Sequence, residues 1–212
     1  MKEVAMPLHI EILTIAPFVS KATNIYSFVI FVANISLFLE VNMQHEIIPF
    51  ARRKIDWVFV AFFVINLFFI TYIVDIEQLI IPDPNHFQQP PWPPAPMVKL
   101  IHNYGNSLDP LLIARPQWWK MTIWLDVLFY GPFYLFAIYA FIKGRDWIRM
   151  PAIFYSGMMF AGVFIILGEE IAGPHATPHL PQVLGLNLPW LLFPVFLTLR
   201  LRREHPFDVV QA

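Results

Sequence analysis

The 212-residue chain is 58% hydrophobic and 14% charged, with a mean hydropathy of +0.58; an average soluble domain is about 25% charged. A formal net charge of −1 excludes the overall basic character of a nucleic-acid binder, and the lack of cysteine excludes disulfides and thiol chemistry. This is the composition of an integral membrane protein, whose 21 Phe, 7 Trp and 7 Tyr suit lipid contact, interfacial belts and an aromatic-lined cavity.

Residues 1–23 read as an amphipathic lead-in that Pro7 and Pro17 prevent from being one helix, and Lys2-Glu3 is unlike the start of a signal peptide. A first span is expected from Ile25 to Val41, followed by a connection carrying Arg52, Arg53 and Lys54. The second span runs from about Ile55 to Ile76. A long connection, residues 77–116, then carries PDPNHFQQPPWPPAP, a run that cannot be helical and is expected to pack as extended or polyproline II backbone. The third span, Trp118 to Ile142, holds one carboxylate, Asp126; Gly131-Pro132 a turn later predicts a kink, with the small residue letting neighbours close in. The fourth span is expected over Met150–Leu167 and the last over Leu186–Leu199, with a loop at 172–185 between them. Trp118, Trp119 and Trp147 read as interfacial anchors.

The expected fold is therefore all-α, with five transmembrane helices. Arg52, Arg53, Lys54, Lys143, Arg145, Arg149, Arg200, Arg202 and Arg203, nine of the fourteen Lys and Arg, then share one side of the membrane. The positive-inside rule makes that side cytosolic, with the N-terminus lumenal and the C-terminus cytosolic. Three parts follow: 1–54 (lead-in, extra span and basic loop), 55–203 (a four-helix membrane domain) and 204–212 (a cytosolic tail).

With that topology the acids gather in the lumenal half. Asp75 lies about 27 Å from the cytosolic face and Asp126 about 13 Å in from the lumenal one. Glu169 ends the fourth span on the same side, and Asn187 and Trp190 open the fifth. An acid at bilayer depth costs at least ~2.5–3.5 kcal/mol, so Asp126 is expected to face the protein interior and to carry a function. Glu170 reads as an ordinary helix-end residue at the water interface. His175 and His179 stand at i, i+4, but Pro174, Pro178 and Pro181 argue against a helix there, so no metal site is expected. Nor is a cofactor.

DPLL at 109–112, PQWWK at 116–120, the acid at 126, GPF at 131–133, YAFIKG at 139–144 and WIRMPAIFYS at 147–156 resemble, in order, the EXPERA family of emopamil-binding-protein-like sterol isomerases and sigma-2-receptor-like membrane proteins. The resemblance covers roughly residues 55–203. It implies a helical bundle with a lumen-side, membrane-accessible pocket for sterols and lipophilic amines, in the endoplasmic reticulum or another intracellular membrane. As partners it implies a sterol-like ligand, membrane lipid, and a homodimer or a place in a larger complex. Residue by residue, Asp75 matches the second-span pocket acid of receptor-type members, and Asp126 matches a third-span acid that is Glu in the relatives. Asn187 and Trp190 match the isomerase-type pocket, where the Trp faces a cationic intermediate. Thr71 stands where isomerases carry histidine. Thr71, Asp75, Tyr130, Asp126, Glu169, Asn187 and Trp190 are thus the candidate ligand-binding residues, with Asp109 and Pro132 structural. If the chain were a Δ8–Δ7 sterol isomerase, Asp75 and Asp126 would be the catalytic acids; without the histidine and with both acids one methylene short, binding is the expected activity. A third reading is an EXPERA-like structural subunit of a larger membrane assembly.

Overall fold

In lipid every backbone N–H and C=O has to be satisfied within its own segment, so long apolar runs without strand-like alternation become helices. The computed structural model describes residues 46–208; the lead-in, the first span expected at Ile25–Val41 and residues 209–212 lie outside the described residues. Within the described part the secondary structure is helical, and extended pairing is limited to a single antiparallel bridge between Ile47 and Asp208. In chain order, α1 is Lys54–Ile80. The connection carries α2 (Ala95–Ser107) and α3 (Pro110–Ala114). Then come α4 (Gln117–Lys143), α5 (Asp146–Ala172) and α6 (Leu180–Arg200). The four helices α1, α4, α5 and α6 are long and apolar enough to cross a membrane.

Prolines account for two of the departures from the expected boundaries. The run 81–94 is free of helix, but the rest of the connection is not: Pro96 and Pro110 sit in the first turns of α2 and α3. There the missing N–H has no intrahelical partner to lose and the fixed φ favours a helix start. Pro181 likewise sits in the first turn of α6, which begins at Leu180 rather than Leu186, so the expected 172–185 loop shrinks to 173–179.

The α1–α4 and α5–α6 pairs form the main seams of the bundle. Phe63, wholly buried in α1, places its ring within 6.0 Å of Phe133, Tyr134, Phe141 and Phe193. Each such aromatic pair contributes ~0.5–1.5 kcal/mol beyond area. Only 33% of the most apolar stretch of α1, α4 and α5, and 22% of that of α6, is buried by protein. The outward faces carry residues such as Phe68, Phe154 and Phe164, suited to lipid. Lipid tails are as apolar as those side chains, so close packing and polar links between helices have to hold the bundle.

The strongest link closes the end where α1 starts and α4 and α6 finish. Asp56 is wholly buried and takes both Arg200 Nε (2.6 Å) and Nη2 (2.9 Å), as well as Arg53. Arg53 in turn donates to the Phe141 carbonyl at 2.6 Å, and the two guanidiniums lie 4.8 and 5.1 Å from the Phe207 ring centroid. Arg53 and Arg200, both members of the basic set, are therefore committed to structure. Asp56→Ala would leave two cations without their shared anion, a change of about 3–5 kcal/mol for a buried pair. Thermal unfolding of the detergent-solubilised protein should show a large fall in midpoint for Asp56→Ala and none for Asp83→Ala at an exposed turn; equal midpoints would contradict this role.

Candidate functional site

Both helices that carry the membrane-depth acids leave α-helical register there. α1 is π-helical over Asn66–Asp75 and α4 over Asp126–Tyr130. A π turn displaces side chains from the regular helical face and is frequent at functional sites. Asp75 closes the first segment and Asp126 opens the second. Where a kink was expected at Gly131-Pro132, α4 has this π turn, and Pro132 sits in the first turn of the regular helix that resumes after it.

Asp126 is 9% exposed, and its Oδ1 accepts a hydrogen bond from Thr71 Oγ1 at 2.5 Å. Asp75, one turn beyond Thr71, is half-buried, and its carboxyl is in hydrogen-bonding contact with that of Asp126. The helices approach closely at this level because Gly131 has no side chain. A Cβ there would stand 2.8 Å from Tyr72 Oη and 3.1 Å from Thr71 Cγ2. The Tyr72 hydroxyl donates to the Val127 carbonyl at 3.4 Å, and the Trp92 indole N–H reaches from the proline run to the Tyr72 carbonyl at 2.7 Å. Carbonyls in both π segments thus take donors from outside their own helix.

An aromatic wall adjoins the acids. Tyr130 is buried with its ring 5.1 Å from that of Tyr155, Phe133 stacks on Tyr155 at 4.3 Å, and the Tyr134 and Tyr155 hydroxyls are 3.3 Å apart. Thr71, Asp75, Asp126 and Tyr130 are therefore brought together. The other candidates lie in different contacts. Asn187 donates to Val183 of its own helix at 3.0 Å, and Trp190 packs on Phe62 and donates to Asn66 Oδ1 at 2.7 Å. Glu169 accepts from His175 Nδ1 at 2.7 Å and from its backbone N–H at 3.0 Å, securing the loop before α6.

Glu170 departs from the expected water-interface position: it is 1% exposed and faces Asp109. The α2–α3 junction folds over this end of α5 and covers it. Thr177 Oγ1 donates to the Leu108 carbonyl at 2.5 Å, and its N–H donates to the Glu170 carbonyl at 3.0 Å. Asp109 caps α3 by accepting from the Leu112 N–H at 3.2 Å. Burial holds its carboxyl above the usual carboxylate range, and burial with the nearby Asp109 and Glu170 pushes the Tyr104 phenol up to about 12. Trp119 departs from its expected role as an interfacial anchor, being buried and donating to Gln78 Oε1 at 2.7 Å; Trp147 remains half-exposed.

Sequence reasoning missed Glu77, His102, Arg115 and Asn66. Glu77 is wholly buried and takes Arg115 Nη2 and His102 Nε2, each at 2.8 Å, while Arg115 also holds the Ile81 carbonyl from a left-handed backbone position (φ +46°). The partners are 25 and 38 residues apart, so no local pattern announces them. At the other end of the bundle Asp146, His205 and Asp208 bring possible ligand atoms within 4.8 Å of one another. The hydrogen bond to Asp146, 2.7 Å long, raises the His205 pKa and favours a protonated imidazole over a metal ligand.

The family model described as EXPERA (EXPanded EBP superfamily) matches residues 96–201, which run from α2 to just past the end of α6. A human protein named Sigma intracellular receptor 2 is 34% identical over 170 residues, 74% of this chain and 92% of that protein. The chain belongs to the EXPERA family. Proteins of the same name from Xenopus tropicalis and Macaca fascicularis are 29% and 28% identical, over 69% and 74% of this chain and 87% and 92% of their own lengths. This EXPERA chain is thus a membrane protein of that family, with Asp126 inside the matched stretch and Asp75 ahead of it.

The Asp109 environment gives a pH test. In the unfolded chain this carboxyl titrates near its ordinary value of 3.8, and in the folded protein above it. The folded state then binds more protons in between, so stability falls as pH rises through that window and stays level above it. Asn is as good an N-cap as Asp and carries no charge. Asp109→Asn should therefore unfold at a higher temperature than wild type at pH 7.5, with the gap closing toward pH 4; parallel profiles at all pH values would contradict the assignment.

Proposed function

We propose that this chain binds sterol-like or lipophilic amine ligands at the Thr71–Asp75–Asp126 site. It would do so as a five-span protein of an intracellular membrane, with the site in the lumenal half and the basic end cytosolic. The observation that carries the reading is the meeting of two carboxyls between π-helical turns of neighbouring spans, beside the Tyr130–Phe133–Tyr155 wall. A protonated amine would pair with a carboxylate where the surrounding dielectric is low, and its apolar body would lie against the rings. Asp75, the more exposed acid, meets the cation first, with Asp126 behind it. The relatives' name, an intracellular receptor, agrees with a binder.

The alternative is a Δ8–Δ7 sterol isomerase, in which one acid delivers a proton and the other group removes one. Thr71 argues against it. Its hydroxyl is spent on Asp126, and it cannot exchange a proton near neutral pH as a histidine can. Trp190, the residue an isomerase would turn toward a cationic intermediate, is tied by its N–H to Asn66.

Equilibrium binding of a radiolabelled lipophilic amine to membranes containing the full chain tests the reading. Asp75→Asn should weaken binding about tenfold or more, the value of a charge-assisted hydrogen bond, and Asp126→Asn by less. Wild-type affinity in both variants would sink the site. Expression in cells lacking their own sterol isomerase separates the alternative: a binder leaves the block in place, whereas restored sterol synthesis would make the chain an enzyme. A structural subunit would neither bind nor restore, and would leave mild detergent as part of a large complex.

A further inference from the structure

At the end of the bundle remote from Asp75 and Asp126, an open groove of about 480 Å³ lies where α1 begins and α6 ends. Its floor is apolar, made by Ile55, Phe59, Phe196 and Leu199, and its rim includes Arg202 and Arg203. Ile55 is the second residue of α1 and Leu199 the last but one of α6, so the groove straddles the boundary where the apolar spans stop.

The arginines on this rim differ in what they are free to do. Arg200 is held bidentately by Asp56. Arg202 and Arg203 are exposed, and among the described residues neither guanidinium is in an ion pair or hydrogen bond. The backbone beneath them is fixed, since Arg149 donates to the carbonyls of Leu201 (3.1 Å) and Arg202 (3.4 Å). Arg52 and Lys54 add exposed positive charge at the start of α1, and Glu204 is the exposed acid of the same stretch. Asp146 and Asp208 face His205, whose proton offsets one of their two charges, so together with Glu204 they leave Arg52, Lys54, Arg202 and Arg203 in excess at the rim.

We propose that this groove binds an anionic phospholipid, its headgroup phosphate between Arg202 and Arg203 and one acyl chain along Ile55, Phe59, Phe196 and Leu199. Guanidinium forks bond phosphate oxygens in pairs, and a basic pocket between spans at headgroup level is the arrangement that selects acidic lipids. A zwitterionic lipid offers the same chains, but its ammonium offsets the phosphate. A water-soluble phosphate offers the charge without the chain. The proposal is separate from the acid-pair site, which lies in the other half of the bundle.

The test titrates dioleoylphosphatidylglycerol or dioleoylphosphatidylcholine into the delipidated full-length protein in detergent and counts retained lipid by native mass spectrometry. One molecule of phosphatidylglycerol should be retained about tenfold more tightly than phosphatidylcholine, at roughly a few-fold to tenfold per basic residue. Arg202→Gln/Arg203→Gln should bring it to the phosphatidylcholine level, and Leu199→Glu should weaken retention of both lipids. Lys143→Gln/Arg145→Gln, exposed at the same end on a different turn, should leave the preference intact. The same loss in both double variants would mean diffuse attraction to a basic surface and overturn the site. So would displacement of the lipid by equimolar glycerol 3-phosphate, or no preference in the wild-type protein. Unchanged circular dichroism melts would show that the exposed arginine substitutions leave the fold in place.

Discussion

A carboxyl group inside the bilayer needs a donor, and water is not there to provide one. Asp126 finds its donor across a helix boundary, in Thr71 of α1, and this requires the two helices to approach at that depth. Gly131 makes the approach sterically feasible by presenting no side chain to Tyr72 and Thr71. The π turns bring Asp75 to the same point from the other helix. Remove the cross-helix contact and the acid becomes an unsatisfied group in an apolar medium, a penalty that little else in the bundle could offset. The position of the aromatic wall follows from this contact, because Tyr130 and Phe133 continue the same stretch of α4.

The two ends of the bundle are closed by different chemistry, and the site lies between them. At the end of α1 the links are Glu77 with Arg115 and His102, Glu169 with His175, and Thr177 with the Leu108 carbonyl. At the other end Asp56 draws Arg53 and Arg200 together beneath Phe207. Polar contacts therefore supply what the hydrophobic effect cannot supply in lipid. They also place the acids on helices fixed at both ends, the condition under which a binding geometry is held closely.

The four described membrane-length helices were legible in the sequence because an apolar run of about 20 residues is a one-dimensional signal. Asp126 was legible for the same reason, as a charge interrupting such a run, and its nearness to Asp75 was expected from depth; the Thr71 hydroxyl as its donor was not. What local pattern could not show was pairing. Glu170 and Glu169 are adjacent in sequence, yet one is buried against Asp109 and the other is joined to a loop histidine. Arg115 looked like one of the scattered basic residues and is buried on Glu77. Trp119 looked like an interfacial anchor because composition does not reveal which face of α4 meets Gln78. The π turns carry no periodic signature at all, since their residues are as apolar as those around them. Proline was informative in the opposite sense to the expected one at α2 and α6, where it starts helices instead of excluding them.

The central claim is that ligand is held between the π-helical turns of α1 and α4. The most direct test is photolabelling of the full-length protein in membranes with a diazirine-bearing lipophilic amine, with the modified residues located by peptide mass spectrometry. The account predicts labels within 66–80 and 117–134 that disappear under excess unlabelled amine. Labels confined to the outer faces of α5 and α6, or indifferent to competition, would contradict it.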